Sequence, residues 1–262
     1  EGVPTPTDNV TPDRFRSQLT GLLDRGYSVA SLEDLIEAQH RGHRLPARTV
    51  AITFDDAYHS VYCQAWPILR ELGLPATLFV STAYLDSADP LPFDRWARRH
   101  RHAVPAVSYR PATALECREM AASGLIAIGS HGHLHDDFRG QPDEFRADLA
   151  MSIERLDSHF GRRTWPLAFP YGRFDDELVA ATRTSGVACA VTTRAELITP
   201  GTDRYALGRF NVYQFDTGAT LDAKLQGWYS WLPTLEERLA TARPSRTAAT
   251  CADFDTETGA HR

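Results

Sequence analysis

The chain has 262 residues, of which 42% are hydrophobic and 24% charged, a composition typical of a globular protein. This composition excludes a collagen, a long coiled coil and a wholly disordered chain. The formal net charge of -6 comes without a sustained basic run, which argues against nucleic acid and anionic lipid as partners. No apolar stretch approaches the roughly 20 residues that a membrane span needs.

The two ends of the chain carry little structural signal. The sequence begins at Glu1 without a methionine, so we expect that a leader has been removed or that the chain is a piece of a longer protein. This leaves the compartment open between the cytoplasm and export. From residue 242 the chain is rich in Thr, Ala and Arg and aperiodic, so we predict one domain over 1–241 and a flexible tail over 242–262.

Helix and strand signals alternate along the rest of the chain. Helices are predicted after Thr11 and Ser31, over 58–72, after Thr113, over 145–160 and over 175–185. Strands are predicted at 27–30, 49–54, 76–80, 125–129, 166–169, 187–191 and 209–213. Residues 81–112 lack a clear period, and we interpret them as a long loop or insertion. About seven strands alternating with helices predict an α/β fold built on a parallel sheet or barrel.

Three polar clusters follow predicted strands. They are Asp55-Asp56, the histidine-rich segment 131–135, and the Pro170-Tyr171-Gly172 turn. Functional sites of α/β folds gather at the carboxyl ends of the strands. We therefore expect the three clusters to line one pocket.

The histidine segment and the aspartate pair each have two interpretations. His131 and His135 are four residues apart and can face one metal ion, although such a segment can also be a polar surface loop. Asp55 and Asp56 can divide the binding of a cation and the uptake of a proton, although an aspartate there can also cap a helix. Neither cluster decides the question alone.

Taken together, the motifs resemble the polysaccharide deacetylase family, the NodB-homology carbohydrate esterases. Thr53-Phe54-Asp55-Asp56 resembles the first family motif, and His131 with His135 matches the HxxxH of the second. Pro170-Tyr171-Gly172 resembles the third motif, and Leu207-Gly208-Arg209-Phe210-Asn211-Val212 a later basic one. The motifs occur in the family's order, and the resemblance extends over roughly residues 11–232.

The resemblance implies a distorted (β/α) barrel of about seven parallel strands that holds one divalent ion. Its ligands would be Asp56, His131 and His135, and Asp55 would be the general base that takes a proton from water on the ion. Zinc suits two imidazoles and a carboxylate best, while cobalt, nickel and iron are alternatives.

The family pattern also implies roles for Tyr171 and Arg209. The backbone N–H of Tyr171 would stabilise the developing oxyanion. Arg209 would be the partner of Asp55, with an ion pair at the opposite end of the barrel as the alternative. Candidates for substrate contacts are Tyr58, Trp96, His133 and Pro170, although aromatic residues at such spacing are more often part of a core.

The histidine that serves the family as general acid has no clear counterpart in this chain. His261 lies in the predicted tail, and His40 and His43 lie at the end of a polar helix. The alternatives are that a strand preceding Asn9 is absent, which we favour, that His133 or His59 substitutes, or that the protein is a weakened relative.

The sequence therefore predicts a metal-dependent hydrolase that removes N-acetyl groups from an amino sugar or glycan. The alternatives are removal of O-acetyl groups, cleavage of another non-peptide C–N bond, and a degenerate barrel that binds a glycan without turnover. A metallo-β-lactamase pattern beginning at His133 is broken at Phe138, and it leaves the aspartate pair unexplained. The sequence does not indicate an oligomeric state.

Overall fold

The computed structural model of the chain describes residues 3, 6, 9–43, 45–161 and 164–228. Within these residues the strands are β1 (Ser28–Val29), β2 (Thr49–Val50), β3 (Ile52–Phe54), β4 (Ala76–Val80), β5 (Ile126–Ser130), β6 (Leu167–Ala168) and β7 (Ala190–Val191). The helices are α1 (Pro12–Leu23), α2 (Leu32–Arg41), α3 (Trp66–Leu72), α4 (Arg95–His100), α5 (Ala114–Ala122), α6 (Pro142–Phe160), α7 (Asp176–Thr184) and α8 (Gly218–Leu225). The predicted boundary at residue 241 and the predicted tail over 242–262 lie outside the described residues.

The strands pair in parallel, which confirms the predicted α/β class. β1 pairs with β2, while the main sheet has the order β3-β4-β5-β6-β7. The main sheet is curled into a half-barrel of five strands, so the barrel-like architecture is confirmed with fewer strands than the predicted seven. The carboxyl ends of β3, β5 and β6 lie at one edge of this sheet, because every pairing is parallel.

One prediction about local structure is wrong. Residues 209–213 are not a strand, because only Leu207 bridges to Val191, and the amide of Tyr213 donates to Asp216 Oδ2 in a local turn instead (2.8 Å). The segment 81–112, interpreted as a long loop or insertion, contains the short helix α4, whose N-terminus is capped by Asp94. The helix predicted over 58–72 begins as a π-helical turn at Val61–Ala65 that continues into α3.

Both faces of the main sheet are covered by apolar side chains. On one face Leu69 of α3, Met120 of α5 and Leu78 of β4 are fully buried in the largest core cluster. On the other face α2 packs against Phe79 of β4. The ring of Phe79 lies so close to Gly129 on the neighbouring strand β5 that a Cβ on this glycine would be 2.6 Å from the Phe79 Cδ1. The strand ends that carry the polar clusters are thus fixed from both sides.

A membrane-spanning helix is not found among the described residues, since none of their helices is both long and apolar enough to cross a bilayer.

We predict that Leu69→Ala lowers the free energy of unfolding by about 2–5 kcal/mol, because it leaves a cavity beside the sheet. Leu69 has no exposed surface. Leu115→Ala on α5 is the matched control, since Leu115 is 58% exposed, and we expect a change within about 0.5 kcal/mol. Urea unfolding of the two variants measures both values, and equal losses would contradict this description of the core.

A group of hydrogen-bonded charged side chains joins α5 to the loop after β3. Arg110 donates two hydrogen bonds to the Glu116 carboxylate (2.6 and 3.1 Å), and His59 Nδ1 lies 3.0 Å from Glu116 Oε1. Burial alone would raise the pKa of Glu116, but Arg110, the Thr113 N–H and His59 together lower it to about 2. The carboxylate therefore stays ionised in the folded protein well below its usual range.

This lowered pKa predicts a pH-dependent stability. The contribution of ionised Glu116 is complete above its ordinary pKa of 4.5 and is lost as the pH falls towards about 2. Glu116→Gln should therefore destabilise the protein most above pH 5, and its difference from the parent should shrink as the pH is lowered. Urea unfolding at stepped pH measures this difference, with the exposed Glu154→Gln as the control for losing one charge. A difference that does not change with pH would contradict the assignment.

Candidate metal centre

The pair Asp55-Asp56 ends β3 at the point where the chain turns sharply. Asp56 and Ala57 both have left-handed backbone conformations (φ 68° and 51°), which non-glycine residues adopt rarely. The turn sends the two carboxylates to different partners. Asp55 receives two parallel hydrogen bonds from Arg209, of 2.7 Å to Oδ1 and 2.8 Å to Oδ2.

Arg209 is itself fixed from two further sides. Its Nε donates to the carbonyl of Thr192 (2.8 Å), and its Nη1 also donates to Thr53 Oγ1 (3.0 Å). Burial alone would raise the pKa of Asp55, but the Arg209 charge and the nearby imidazoles lower it to about 2. The structure thus pairs Arg209 with Asp55 at the carboxyl end of β3, and the alternative of an ion pair at the opposite end of the barrel is wrong.

The imidazoles of His131 and His135 converge on the second carboxylate, Asp56. His131 Nε2 lies 3.5 Å and His135 Nε2 3.3 Å from Asp56 Oδ1. One ligand atom from each of the three residues lies within 4.8 Å of the others. His131 Nδ1 lies 2.8 Å from the carbonyl of Ala168, and as the donor it leaves Nε2 with a lone pair for a ligand bond.

The protonation state of His135 also suits a metal ligand. Its burial, followed by the neighbouring His131, lowers the pKa of His135 to about 3, although Asp55 acts in the opposite direction. A neutral imidazole is the form that binds metal. Two imidazole nitrogens and one carboxylate oxygen form a donor set that fits a divalent ion such as zinc.

The loop that carries the two histidines is fixed by α6, which the sequence analysis did not include in the site. Buried Asp148 accepts hydrogen bonds from the backbone N–H of His133 (2.7 Å) and of Leu134 (2.9 Å). Ser152 bonds to Ser130 Oγ (2.8 Å), and a Cβ on Gly132 (φ 74°) would lie 2.8 Å from Asp148 Oδ2. The only sequence signal for this role is polar residues on the apolar face of a helix.

The Pro170-Tyr171-Gly172 turn closes a third side of the site. Tyr171 has a left-handed backbone (φ 58°), and its ring meets that of His135 edge to face at 4.4 Å between centroids. Tyr171 is 41% exposed, so the residue that borders the centre is also open to solvent. Pro170 is buried.

The other predicted substrate contacts have partners of their own. Tyr58 donates from its hydroxyl to Asp94 Oδ2 (2.8 Å), and His133 Nδ1 bonds to Thr82 Oγ1 (2.9 Å). Trp96 packs against His100 on the same helix, with 5.3 Å between ring centroids. The ring of the insertion that contacts the centre is Phe93, which the sequence analysis did not single out. It stacks on His135 with 3.7 Å between centroids.

A comparison with protein families supports the interpretation of these motifs. The polysaccharide deacetylase model matches residues 42–190, which is more than half of the chain. The chain belongs to the polysaccharide deacetylase family. The matched residues include Asp55, Asp56, His131, His135 and the Pro170-Tyr171-Gly172 turn, so the predicted family is confirmed.

Relatives with printed names extend this finding. A poly-β-1,6-N-acetyl-D-glucosamine N-deacetylase of Staphylococcus epidermidis is 28% identical over 214 residues, which cover 78% of this chain and 68% of the relative. The putative polysaccharide deacetylase YxkH of Bacillus subtilis is 26% identical over 218 residues, with 83% and 70% covered. The solved structure of IcaB from Ammonifex degensii matches with a TM-score of 0.72 and 27% identity, covering 85% of this chain and 92% of that one. The NodB-type fold is thereby confirmed.

Two of the histidines considered as a substitute general acid have other partners. His59 lies between Arg110 (2.8 Å) and Glu116, and His133 faces Thr82. His40 lines a cavity with Ala127 and Ala188 at the amino ends of the strands, which is the edge of the sheet opposite to the candidate metal centre. His261 lies outside the described residues.

We predict that Asp148→Ala loosens the metal-ligand loop, because it leaves two backbone N–H groups without their acceptor. The free energy of unfolding should fall by about 1–3 kcal/mol for the unsatisfied donors. Hydrogen exchange of the amides of residues 131–135 should quicken relative to the parent. Asp143→Ala, on the same helix but with a side chain that is 90% exposed, is the control. Unchanged exchange at residues 131–135 would refute the anchoring role.

Proposed function

We propose that this protein is a metal-dependent hydrolase that removes N-acetyl groups from an amino sugar or glycan. The observation that carries the proposal is the division of two adjacent carboxylates. Asp55 is held by Arg209, while Asp56 faces His131 and His135. This arrangement combines a proton acceptor with a donor set for a divalent ion, which is what amide hydrolysis by activated water requires.

Asp56, His131 and His135 would hold the ion. When bound there, a divalent ion supplies Lewis acidity and lowers the pKa of water, and it can do both without redox chemistry. Zinc is the ion that we propose first, because imidazole and carboxylate are among its usual ligands. Cobalt, nickel and iron accept the same ligands.

The chain's own groups would divide the remaining work. Asp55 Oδ2 lies 4.0 Å from His131 Nε2, so the carboxylate is next to the ligand cluster and can accept the proton of the attacking water. Arg209 fixes the orientation of that carboxylate through two hydrogen bonds. The backbone N–H of Tyr171 would donate to the carbonyl oxygen as charge develops on it. Water adds to the carbonyl carbon and the C–N bond breaks, which yields acetate and a free amine.

The substrate class rests on the relatives and on the open ring of Tyr171. The S. epidermidis relative is named for a polymer of N-acetylglucosamine, which supports an amino-sugar substrate here. Tyr171 is a partly exposed aromatic residue beside the ligand cluster, and aromatic side chains pack well against the apolar faces of sugar rings. Tyr58, Trp96 and His133 would contact sugar units further from the reacting group, and Pro170 would shape the turn. Removal of O-acetyl groups is the alternative reaction.

The rival function is a barrel that binds a glycan without turnover. The Arg209–Asp55 pair favours the hydrolase, because a carboxylate held in a fixed orientation beside a metal-ligand cluster has no use in a pure binder. A hydrolase needs Asp55 as its proton acceptor, whereas a protein that only binds a glycan does not.

We predict that Asp55→Asn lowers the rate of acetate release from N-acetylglucosamine oligomers by about 10²–10⁴-fold, because the proton acceptor is lost. The metal content should stay near one equivalent by elemental mass spectrometry, whereas His135→Ala should lose both metal and activity. Removal of the metal with a chelator should abolish activity, and zinc should restore it. Asp143→Asn is the control for losing an exposed carboxylate on the surface.

Two results would contradict the proposal. Undiminished acetate release by Asp55→Asn would exclude it as the base, and a parent protein that takes up no metal after reconstitution would exclude the metal-dependent mechanism altogether.

A further inference from the structure

The two imidazoles of the metal centre differ in how their second nitrogen is held. His131 Nδ1 lies 2.8 Å from the carbonyl of Ala168, the usual arrangement for a metal-binding histidine. His135 Nδ1 is buried, and within the described part of the chain no hydrogen-bond partner reaches it. The backbone carbonyl of His135 itself acts to raise the pKa of the ring, but it does not meet the geometry of a hydrogen bond to Nδ1. The orientation of the His135 ring must therefore be fixed by something other than a hydrogen bond.

Three aromatic rings surround the His135 imidazole. Phe93 stacks on its face, with 3.7 Å between centroids and 21° between planes, the shortest ring pair in the part of the protein that the structure describes. Tyr171 and His131 meet it edge to face, at 4.4 and 4.7 Å. Only 4% of His135 is exposed. The stacked ring leaves the imidazole little freedom to rotate about its χ2 bond.

Phe93 is itself tied to the aspartate motif through its neighbour in the sequence. Asp94 accepts a hydrogen bond from the Tyr58 hydroxyl (2.8 Å) and caps α4 through the N–H of Ala97 (2.8 Å). Tyr58 follows Asp56 by two residues. This side-chain hydrogen bond joins the part of the insertion that carries Phe93 to the loop that carries the carboxylate of Asp56, and main-chain hydrogen bonds at Ala57 and His59 join the end of the insertion to the same loop.

We propose that Phe93 is a positioning residue whose stacked ring, in place of a hydrogen-bond acceptor, fixes the plane of His135 so that Nε2 faces Asp56. The Tyr58–Asp94 hydrogen bond keeps Phe93 in place above that ring. This proposal rests on the proposed function only in requiring that the centre binds a divalent ion. It also assigns to the insertion over 81–112 a structural role at the metal centre.

The test is the affinity of the full chain for Zn²⁺ alone, measured by competition with a chromophoric chelator. Phe93→Leu keeps an apolar cover but removes the flat ring, and it should weaken Zn²⁺ binding about 10–100-fold, the usual effect of losing the group that orients a ligand. Phe93→Tyr keeps the ring and should bind within about threefold of the parent. Phe215→Leu is the matched control, because Phe215 is 71% exposed and stacks on Tyr213.

A spectroscopic measurement separates positioning from general destabilisation. The visible absorption of the Co²⁺-loaded protein reports ligand geometry, so its bands should shift in Phe93→Leu and stay in place in Phe93→Tyr and Phe215→Leu. If Phe93→Leu does not fold, Tyr58→Phe removes only the hydroxyl that holds Asp94, and it should weaken Zn²⁺ binding by a smaller factor than the loss of the ring.

The outcomes distinguish the two proposals. If the parent and Phe93→Leu bind Zn²⁺ equally and share one Co²⁺ spectrum, the role of Phe93 is overturned while the metal-dependent function stands. The same holds if Phe93→Leu does not fold and Tyr58→Phe binds like the parent. If the parent binds neither ion, the proposed function fails and the role of Phe93 fails with it.

Discussion

Adjacent carboxylates such as Asp55 and Asp56 repel each other unless each has its own compensating partner. The fold supplies two different partners at one edge of the sheet. Arg209, 154 residues further along the chain, takes both oxygens of Asp55, and the buried imidazoles of His131 and His135 face Asp56. The parallel order of β3, β4, β5 and β6 brings the aspartate pair and the histidine segment to the same edge of the sheet, because the carboxyl ends of these strands all lie there.

The loops at this edge are held in conformations that a free chain would seldom adopt. Asp56, His135 and Tyr171 all have left-handed backbones, each of which costs of the order of 1–3 kcal/mol without glycine. Such conformations persist only where the surroundings fix them, and Asp148 does this for the loop that ends at His135. The stability of α6 is thereby coupled to the geometry of the candidate metal ligands.

The sequence predicts those site residues that lie close to a predicted strand end, and it misses those whose role depends on a contact distant along the chain. Asp55, Asp56 and His131 directly follow predicted strands, and His135 lies four residues after His131, so strand-end reasoning locates them as candidates without any knowledge of distant contacts. Strand-end reasoning misses Phe93 and Asp148. Their partners, His135 and His133, lie 42 and 15 residues away, and these contacts depend on how the insertion and α6 pack. Residues 209–213 mislead for the same reason, since their alternation resembles a strand while Arg209 is drawn to Asp55 by an interaction across the sheet.

The position of the histidines bears on how the leaving amine would receive its proton. A histidine acid would have to reach the scissile bond, yet His59 is held by Arg110 and Glu116, His133 by Thr82, and His40 lies at the other end of the strands. Asp55 stands beside the ligand cluster and would already carry the proton taken from water. Under the proposed mechanism, Asp55 would therefore be the residue that passes this proton to the leaving nitrogen. Under the proposed mechanism, the fixed geometry of the Arg209–Asp55 pair would then serve both halves of the reaction.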